Sequence, residues 1–488
     1  MAGTDFRAGS IALRQRPLLF QRPRLFTTDQ LQQVEEGALR ILGEVGLAIR
    51  SEALLERLAP TRLRIRERRV FLERGLVERF LAAERSRNGY QFAEEPAPPE
   101  RLGEPLTLHT LGYSQYVHDL ETDRIVPYTT DRLIEATKVI QMLQSRGLAP
   151  GIGGRPLDVP PPLQPIIQYW VGANYCAGAV QPCYVEAVDS FPYVVEMGEV
   201  LGHPVRSVAV YVSTPLTLGS EGLEIALRYE DRLEDVSLSN MASLGCMAPI
   251  EVAHAYALLA AEVIGSAILL SEALAIPVHW GLRLCPADMR TLAMVLGSPE
   301  DTLLMFLNNE VSAYLHGTPW RMAGWGMHTN AKLPGPQACV EKASQLTIGA
   351  LLGQRAFGIA GNLSLDEVFS AEQLLYDLEI KDHVERLVAG VDTSCSVEEC
   401  VAEVKEGVGQ RSFTGLDSTL DQYRQQYWRP ALFERDFLAQ WQGEGALNIR
   451  RKAHAMIRDL ISQHDYELAP DLRRELDRIV ARAKEELR

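Results

Sequence analysis

Between about residue 132 and residue 360 the chain repeats one unit, a short apolar or β-branched run, then a loop, then a helical pattern. Nothing else in the sequence restricts its fold as strongly. The runs fall at 148–152, 180–185, 207–212, 236–238, 276–280, 320–325 and 356–359, and helical patterns at 163–175, 191–201, 221–233, 250–274, 300–315 and 337–352 separate them. Strands that alternate with helices pair in parallel through right-handed crossovers, which leaves an open doubly wound sheet or a closed barrel. Seven visible units favour closure. The expected fold is therefore α/β, a (β/α)8 or TIM barrel, with its eighth strand sought at 390–397.

Residues 1–131 read as an α+β layer ahead of the barrel. Leu31, Val34, Ala38, Ile41, Leu42 and Val45 recur on one helical face, with Thr28 or Asp29 as cap and Gly46 as terminator. A short helix over 51–58, strand-like residues Leu63, Ile65 and Val70, weak strands over 106–117 and turn chemistry at 119–123 follow. The barrel is assigned to 132–415. Residues 416–488 are mostly amphipathic helix that should pack on the barrel or on a neighbouring subunit, so a homo-oligomer is expected.

Composition narrows the partners. The formal net charge of −15 disfavours nucleic acid and anionic membrane, which call for a basic surface. The locally basic run 62–74 interleaves with apolar residues and carboxylates and reads as a solvated face. Seven irregularly spaced cysteines fit reduced thiols, and the first residues lack the apolar segment of a secretory signal, so a cytoplasmic protein is expected. The longest apolar run, 255–276, contains Glu262 and Glu272 and reads as a buried core helix rather than a membrane span. Gly151, Gly153 and Gly154 lead into Arg155 and Pro156 and not into a helix, which argues against a dinucleotide loop.

In a barrel the C-terminal ends of the strands hold the reacting groups. The polar residues there are Glu186 and Asp189, Ser213 and Thr214, Asn240 and Ser243, then His279 and Arg283. His328, Asn330 and Lys332 follow in the sixth unit, and Asn362, Ser364, Asp366 and Glu367 in the seventh. From these, His328, Glu186 and His279 are the expected catalytic groups, and Trp325, Trp280 and Asn362 the expected substrate contacts. Each has an ordinary structural reading too: His279 as a core histidine, Glu186 as a helix cap, Lys332 as a brace for a turn, Glu341 as a partner of the helix dipole. Trp280, Trp320 and Trp325 read as packing, yet three tryptophans in two adjacent units also suit an aromatic box around a cationic amine. Gly245, Cys246 and Met247 end a strand before Pro249 opens a helix, and are expected to offer free N–H groups to an anion or a cofactor edge.

Several short motifs in order resemble one family. The opening helix LQQVEEGALRILGEVG, then Asp119-Leu120-Glu121-Thr122 with Pro127, Thr129 and Asp131, is similar to the start of the trimethylamine methyltransferase family. So are Gly245 to Pro249 with Ala261-Glu262, and Ala331-Lys332-Leu333-Pro334 with Gln337-Ala338 and Glu341-Lys342. Gly361-Asn362-Leu363, Ser370, Glu372-Gln373-Leu374, Asp377 and Glu379 continue the resemblance, and Trp441 with Gly445 ends it.

The resemblance implies a TIM barrel that moves a methyl group from a methylated amine to the cobalt of a corrinoid (cobalamin) held by a separate corrinoid-binding protein, with no tightly bound cofactor or metal of its own. A quaternary nitrogen leaves as a neutral amine, so such an enzyme has mainly to align donor and cobalt and to bind a cation. Two departures bear on the donor. Gly335 stands where the family has aspartate, and the segment from Trp325 to Lys332 holds only ordinary residues where the trimethylamine enzymes carry pyrrolysine. Trimethylamine is thus not the expected donor; a small quaternary amine such as glycine betaine is. A barrel lyase or hydrolase with a histidine base and a metal, and a ligand-binding barrel without activity, stay open as alternatives.

Overall fold

Three long strands frame the molecule. In the computed structural model, which describes residues 24–89, 104–179, 185, 187–324, 326–394 and 396–487, the strands Ser207–Ser213, Asp235–Ser243 and Val278–Cys285 pair in parallel. Their even-numbered residues, among them Val208, Val210, Val236, Leu238, Leu282 and Leu284, are buried against helices. Strand alternation turns the odd-numbered residues to the opposite, inner face.

Helices fill the intervals that the repeat predicts: Glu221–Arg228, Val252–Ala273, Pro299–His316 and Pro336–Leu351. Val252–Ala273 is apolar on nearly every side because it lies between the strands and the N-terminal helix Thr28–Arg40. A Cβ added at Gly37 would stand 2.8 Å from the Cβ of Ala257, which shows how closely these two helices approach. Val252–Ala273 is the one described helix long and apolar enough to cross a membrane, and 78% of its most apolar window is buried inside the protein.

The N-terminal layer joins the same sheet. The hairpin Arg64–Arg66 and Arg69–Phe71 pairs with Leu47–Ile49, which adds in parallel to Thr217–Leu218. The first helix is capped by Thr27, one residue before the expected Thr28, because Thr27 and Gln30 form a reciprocal capping box. Arginines of the basic run serve this layer: Arg68 donates to the carbonyl of Arg50 at 2.7 Å, Arg69 to that of Gly46 at 2.8 Å, and Arg74 pairs with Glu36 at 2.8 Å.

Shorter parallel pairings continue on the other side. Gly326 bridges Gly358, Ala356–Phe357 pairs with Thr107–Leu108, and Leu108 bridges Leu148. The strand beside the seventh unit is therefore Thr107–Leu108 and not 390–397. The weak strand pattern over 106–117 covers these two residues but reads as part of the N-terminal layer, because so short a pattern does not say which distant strand it pairs with. The run 320–325, expected as a strand, pairs among the described residues only through the adjoining Gly326, and 180–184 lies outside the described residues. A second sheet is made of Tyr116–Asp119, Arg124–Pro127, Val368–Phe369 and Asn362–Leu363. The last two helices, Ile449–Ser462 and Pro470–Glu486, pack on Thr130–Leu143, Gln164–Tyr175 and Phe191–Val200. His454 joins this docking by a 2.8 Å contact with Glu372.

Candidate active site

The inner face of the three long strands is a grid. Ala209, Ser237 and His279 form one row, Tyr211, Ser239 and Gly281 the next, and Met241 and Arg283 the third. Ala209, Ser237, Ser239 and Gly281 are small residues on this face, and Arg283 is its cation nearest the strand ends.

There Arg283 meets His328. Arg283 Nη1 lies 3.3 Å from His328 Nε2, and His328 Nδ1 lies 3.1 Å from Asp366 Oδ2. A guanidinium can only donate, so Nε2 is the acceptor and the Nδ1 hydrogen points at Asp366. The imidazole is thus engaged at both nitrogens. Arg283 Nη2 also faces the buried Asp301 Oδ1 at 4.0 Å, and Arg283 Nε makes no hydrogen bond among the described residues.

The surrounding backbone holds the ring. Gln345, fully buried, donates to the carbonyl of His328 at 2.7 Å and accepts from its amide at 3.3 Å. Asp366 sits in a turn whose three residues Ser364, Leu365 and Asp366 have φ of 53°, 56° and 73°. Left-handed backbone costs a non-glycine residue roughly 1–2 kcal/mol, so this turn needs external support. The amides of Ser364 and Leu365 donate to Ala331 and Thr329 at 2.8 and 3.0 Å, Lys332 Nζ donates to Ser364 Oγ at 2.8 Å, and Ser114 Oγ to the carbonyl of Asp366 at 2.8 Å. Glu341 accepts from Thr329 Oγ1 and, at 3.2 Å, from the amide of Asn330.

Electrostatics favour charge on both flanking groups. Burial would raise the Asp366 carboxyl, but His328, Lys342 and Arg283 outweigh it and hold the group below the ordinary aspartate value. Burial likewise opposes the Arg283 charge, and Cys285, Asp301 and Asp366 reverse that. The neighbouring Cys285 thiol is pushed by burial up to about 11, which leaves it protonated at neutral pH and a poor nucleophile.

Not every expected residue comes here. His279 lies on the inner face but four residues before Arg283, about 13 Å along the strand, and it is exposed. Trp280 is turned the other way by strand alternation. It packs in the helix layer, its ring 3.8 Å from that of His316 and 6.4 Å from that of Phe80. Asn362 is buried beneath the Asp366 turn and donates to Ser114 Oγ at 2.8 Å. Glu186 and Trp325 lie outside the described residues. The turn at Gly245, Cys246 and Met247 does not offer free N–H groups: Gly245 donates to Ala248 at 2.9 Å, and Cys246 and Met247 to Ser243 at 3.2 and 2.9 Å. The helix begins only at Val252. Pro249 is therefore not its first residue, and the turn closes on itself first. Glu262 is a buried clamp that accepts from Thr214, the amide of Leu216 and Asn240 at 2.9, 2.8 and 2.7 Å.

Asp301 and Gln345 were missed by sequence reasoning. Gln345 lies one helical turn beyond Glu341, on a helix already singled out, and that spacing was the available signal. Among the described residues no group of three or more His, Cys, Asp or Glu side chains is placed to hold a metal ion. An open cleft of about 1120 Å³ elsewhere, lined by Arg57, Asp189 and Arg228 among others, contains none of the His328 cluster.

Gly326 tests the packing of the imidazole. An added Cβ would stand 2.8 Å from His328 Nε2 and 2.5 Å from Ile359 Cγ1. Gly326→Ala is expected to displace the ring and lower turnover about 100-fold, the scale of an ångström misplacement, with little loss of folded protein. Turnover equal to that of the parent would refute this placement.

A family model described as trimethylamine methyltransferase (MTTB) matches residues 14–488. The chain is similar to trimethylamine methyltransferase MttB of Methanosarcina barkeri, 26% identical over 291 residues, a match spanning 58% of this chain and 57% of that protein. It is similar along nearly its whole length to glycine betaine methyltransferase of Desulfitobacterium hafniense, 23% identical over 489 residues, 96% of this chain and 99% of that protein. Among solved structures, the monomethylamine methyltransferase of Methanosarcina barkeri aligns over 92% of this chain and 91% of that one, with TM-score 0.46 and 12% identity.

Proposed function

Since the chain belongs to the trimethylamine methyltransferase family by its match over residues 14–488, we propose that it transfers a methyl group from a small quaternary amine to the cobalt of a corrinoid carried by a separate protein. The family match is the observation that carries this reading. The fold is in keeping with it: among the described residues the parallel pairings form two arcs, one of the three long strands and one from Gly326 and Ala356–Phe357 through Thr107–Leu108 to Leu148. Joined as a (β/α)8 barrel, the two arcs would gather Arg283, His328 and Asp366 at the strand ends, where barrel enzymes hold their substrates.

The cluster supports one class of donor. Arg283 has hydrogen-bonding capacity left over, and a guanidinium suits a carboxylate while repelling a bare cation. The donor is therefore a betaine, a quaternary ammonium that also carries a carboxylate. Asp366 and Asp301 balance its positive end, Arg283 takes the carboxylate, and His328 fixes the guanidinium through its acceptor nitrogen. When bound, the partner's corrinoid supplies the methyl acceptor. The chain's own residues orient the donor and keep water from it.

The test is methyl transfer to a Co(I) corrinoid protein, read as the methyl-Co(III) spectrum, across betaines and carboxylate-free quaternary ammonium ions. Betaines should react. In Arg283→Met, kcat/KM for betaines should fall by about 10–100-fold relative to carboxylate-free donors, the scale of a hydrogen bond to a charged group. No methylation across the panel with a competent acceptor would refute methyl transfer. An unchanged ratio in Arg283→Met would refute the carboxylate contact alone.

A further inference from the structure

The helix Val397–Gln410, which precedes the C-terminal segment, has an apolar face left largely exposed among the described residues. Val397, Val401, Val404 and Val408 follow at spacings of four, three and four residues, which sets their side chains in one line along a helix of about 21 Å. They are 69%, 46%, 49% and 66% exposed. Gly407 is the one buried residue of the helix, and the ring of Phe413 lies over it. Val397 and Val408 are mostly in water and Val401 and Val404 about half so, and apolar surface left exposed forgoes the stabilisation of burial, so the stripe calls for a cover.

We propose that the cover is the same helix of a second copy of this chain, running antiparallel about a two-fold axis between Val401 and Val404. The spacing selects a self-match. Four, three, four reads the same in both directions, so Val401 meets the partner's Val404 and Val397 meets the partner's Val408, and the contact is isologous and closed. Charge selects the same arrangement. Glu398 and Lys405 occupy the same flanking position one heptad apart, and neither forms an ion pair among the described residues. Antiparallel pairing brings Glu398 to the partner's Lys405, and the two-fold axis repeats that pair. A parallel pair would set Lys405 beside the partner's Cys400 and leave both charges unmatched. This surface is separate from the His328 cluster and stands independently of the methyl donor.

Sedimentation velocity of the full chain from nanomolar to high-micromolar concentration tests it. The parent should self-associate. Val401→Glu/Val404→Glu should weaken that association at least about 100-fold by removing buried valine and opposing like charges, with the far-UV circular dichroism unchanged because neither side chain is buried. Glu398→Lys alone should also weaken it, and Glu398→Lys/Lys405→Glu should restore it. A parent that stays monomeric at every concentration would overturn the proposal, as would assembly indifferent to the valine pair. Failure of the charge swap to restore would overturn the antiparallel arrangement. A valine variant that still self-associates but no longer binds a corrinoid protein would give the face to that partner instead.

Discussion

Asp366→Asn is expected to lower methyl-transfer kcat/KM by about 100-fold while the chain still folds. The carboxylate receives the Nδ1 hydrogen of His328, and that bond sets which nitrogen faces Arg283. Asparagine keeps the shape but not the charge, so neither the tautomer nor the guanidinium is held as firmly. The same variant has a pH signature. Asp366 is held below its ordinary 3.8 by His328, Lys342 and Arg283 against the effect of burial. A depressed carboxylate contributes stability that is complete above the unfolded value and is lost as pH falls through the folded one. The parent should therefore lose stability in acid below about pH 4, and Asp366→Asn should show a shallower acid limb. Denaturant midpoints across that range, with kcat/KM at neutral pH, decide it. Parent-like values for both would remove Asp366 from the site.

Lys342→Met is expected to cost about 3–5 kcal/mol of folding stability, the scale for stranding one partner of a buried ion pair. Lys342 and Asp377 are both fully buried, 2.7 Å apart. Lys342 also donates to the carbonyl of Ile359 at 3.2 Å, and Asp377 accepts from the amide of Gly361 at 2.7 Å and from Gln373 at 2.8 Å. The pair thereby ties the seventh strand unit to two helices just before the Asp366 turn. Burial pushes the Asp377 carboxyl up, and Lys342 is the main force in the other direction. Without Lys342 the carboxylate must take up a proton or stay charged with no counter-ion. Lys342→Met/Asp377→Leu should recover most of the loss, because removing both charges spares the desolvation of either. A single variant as stable as the parent, in urea unfolding followed by circular dichroism, would show that the pair contributes little.

The reading of the sequence succeeded where periodicity is long. The helix Val252–Ala273 lies where its long, continuous apolar run put it, and the three long strands lie close to their runs because a two-residue repeat leaves one orientation that buries the apolar side chains. Family membership was legible for a related reason. Glu341, Lys342, Asp377 and Glu262, which belong to the motifs that carried the resemblance, are each tied to particular backbone groups.

The site itself was only half legible. His328 stood out as a histidine after a glycine, but Asp366 and Arg283 were two names in a list of strand-end residues. Their contact joins positions 283, 328 and 366 from three separate units. Trp280 shows the limit most directly. Val278, Trp280, Leu282 and Leu284 alternate with His279, Gly281 and Arg283, so the two-residue period already sets Trp280 on the buried face; what it packs against there was not legible. Its neighbour is His316, 36 positions away. By itself the sequence determined the element types, their alternation, the acidic balance and the family, since each depends on composition or local spacing. Only the tertiary structure decided that Thr107–Leu108 lies beside Ala356–Phe357, that Trp280 packs against His316, and that Asp366 holds His328, because each of these turns on which distant groups lie within hydrogen-bonding or van der Waals reach.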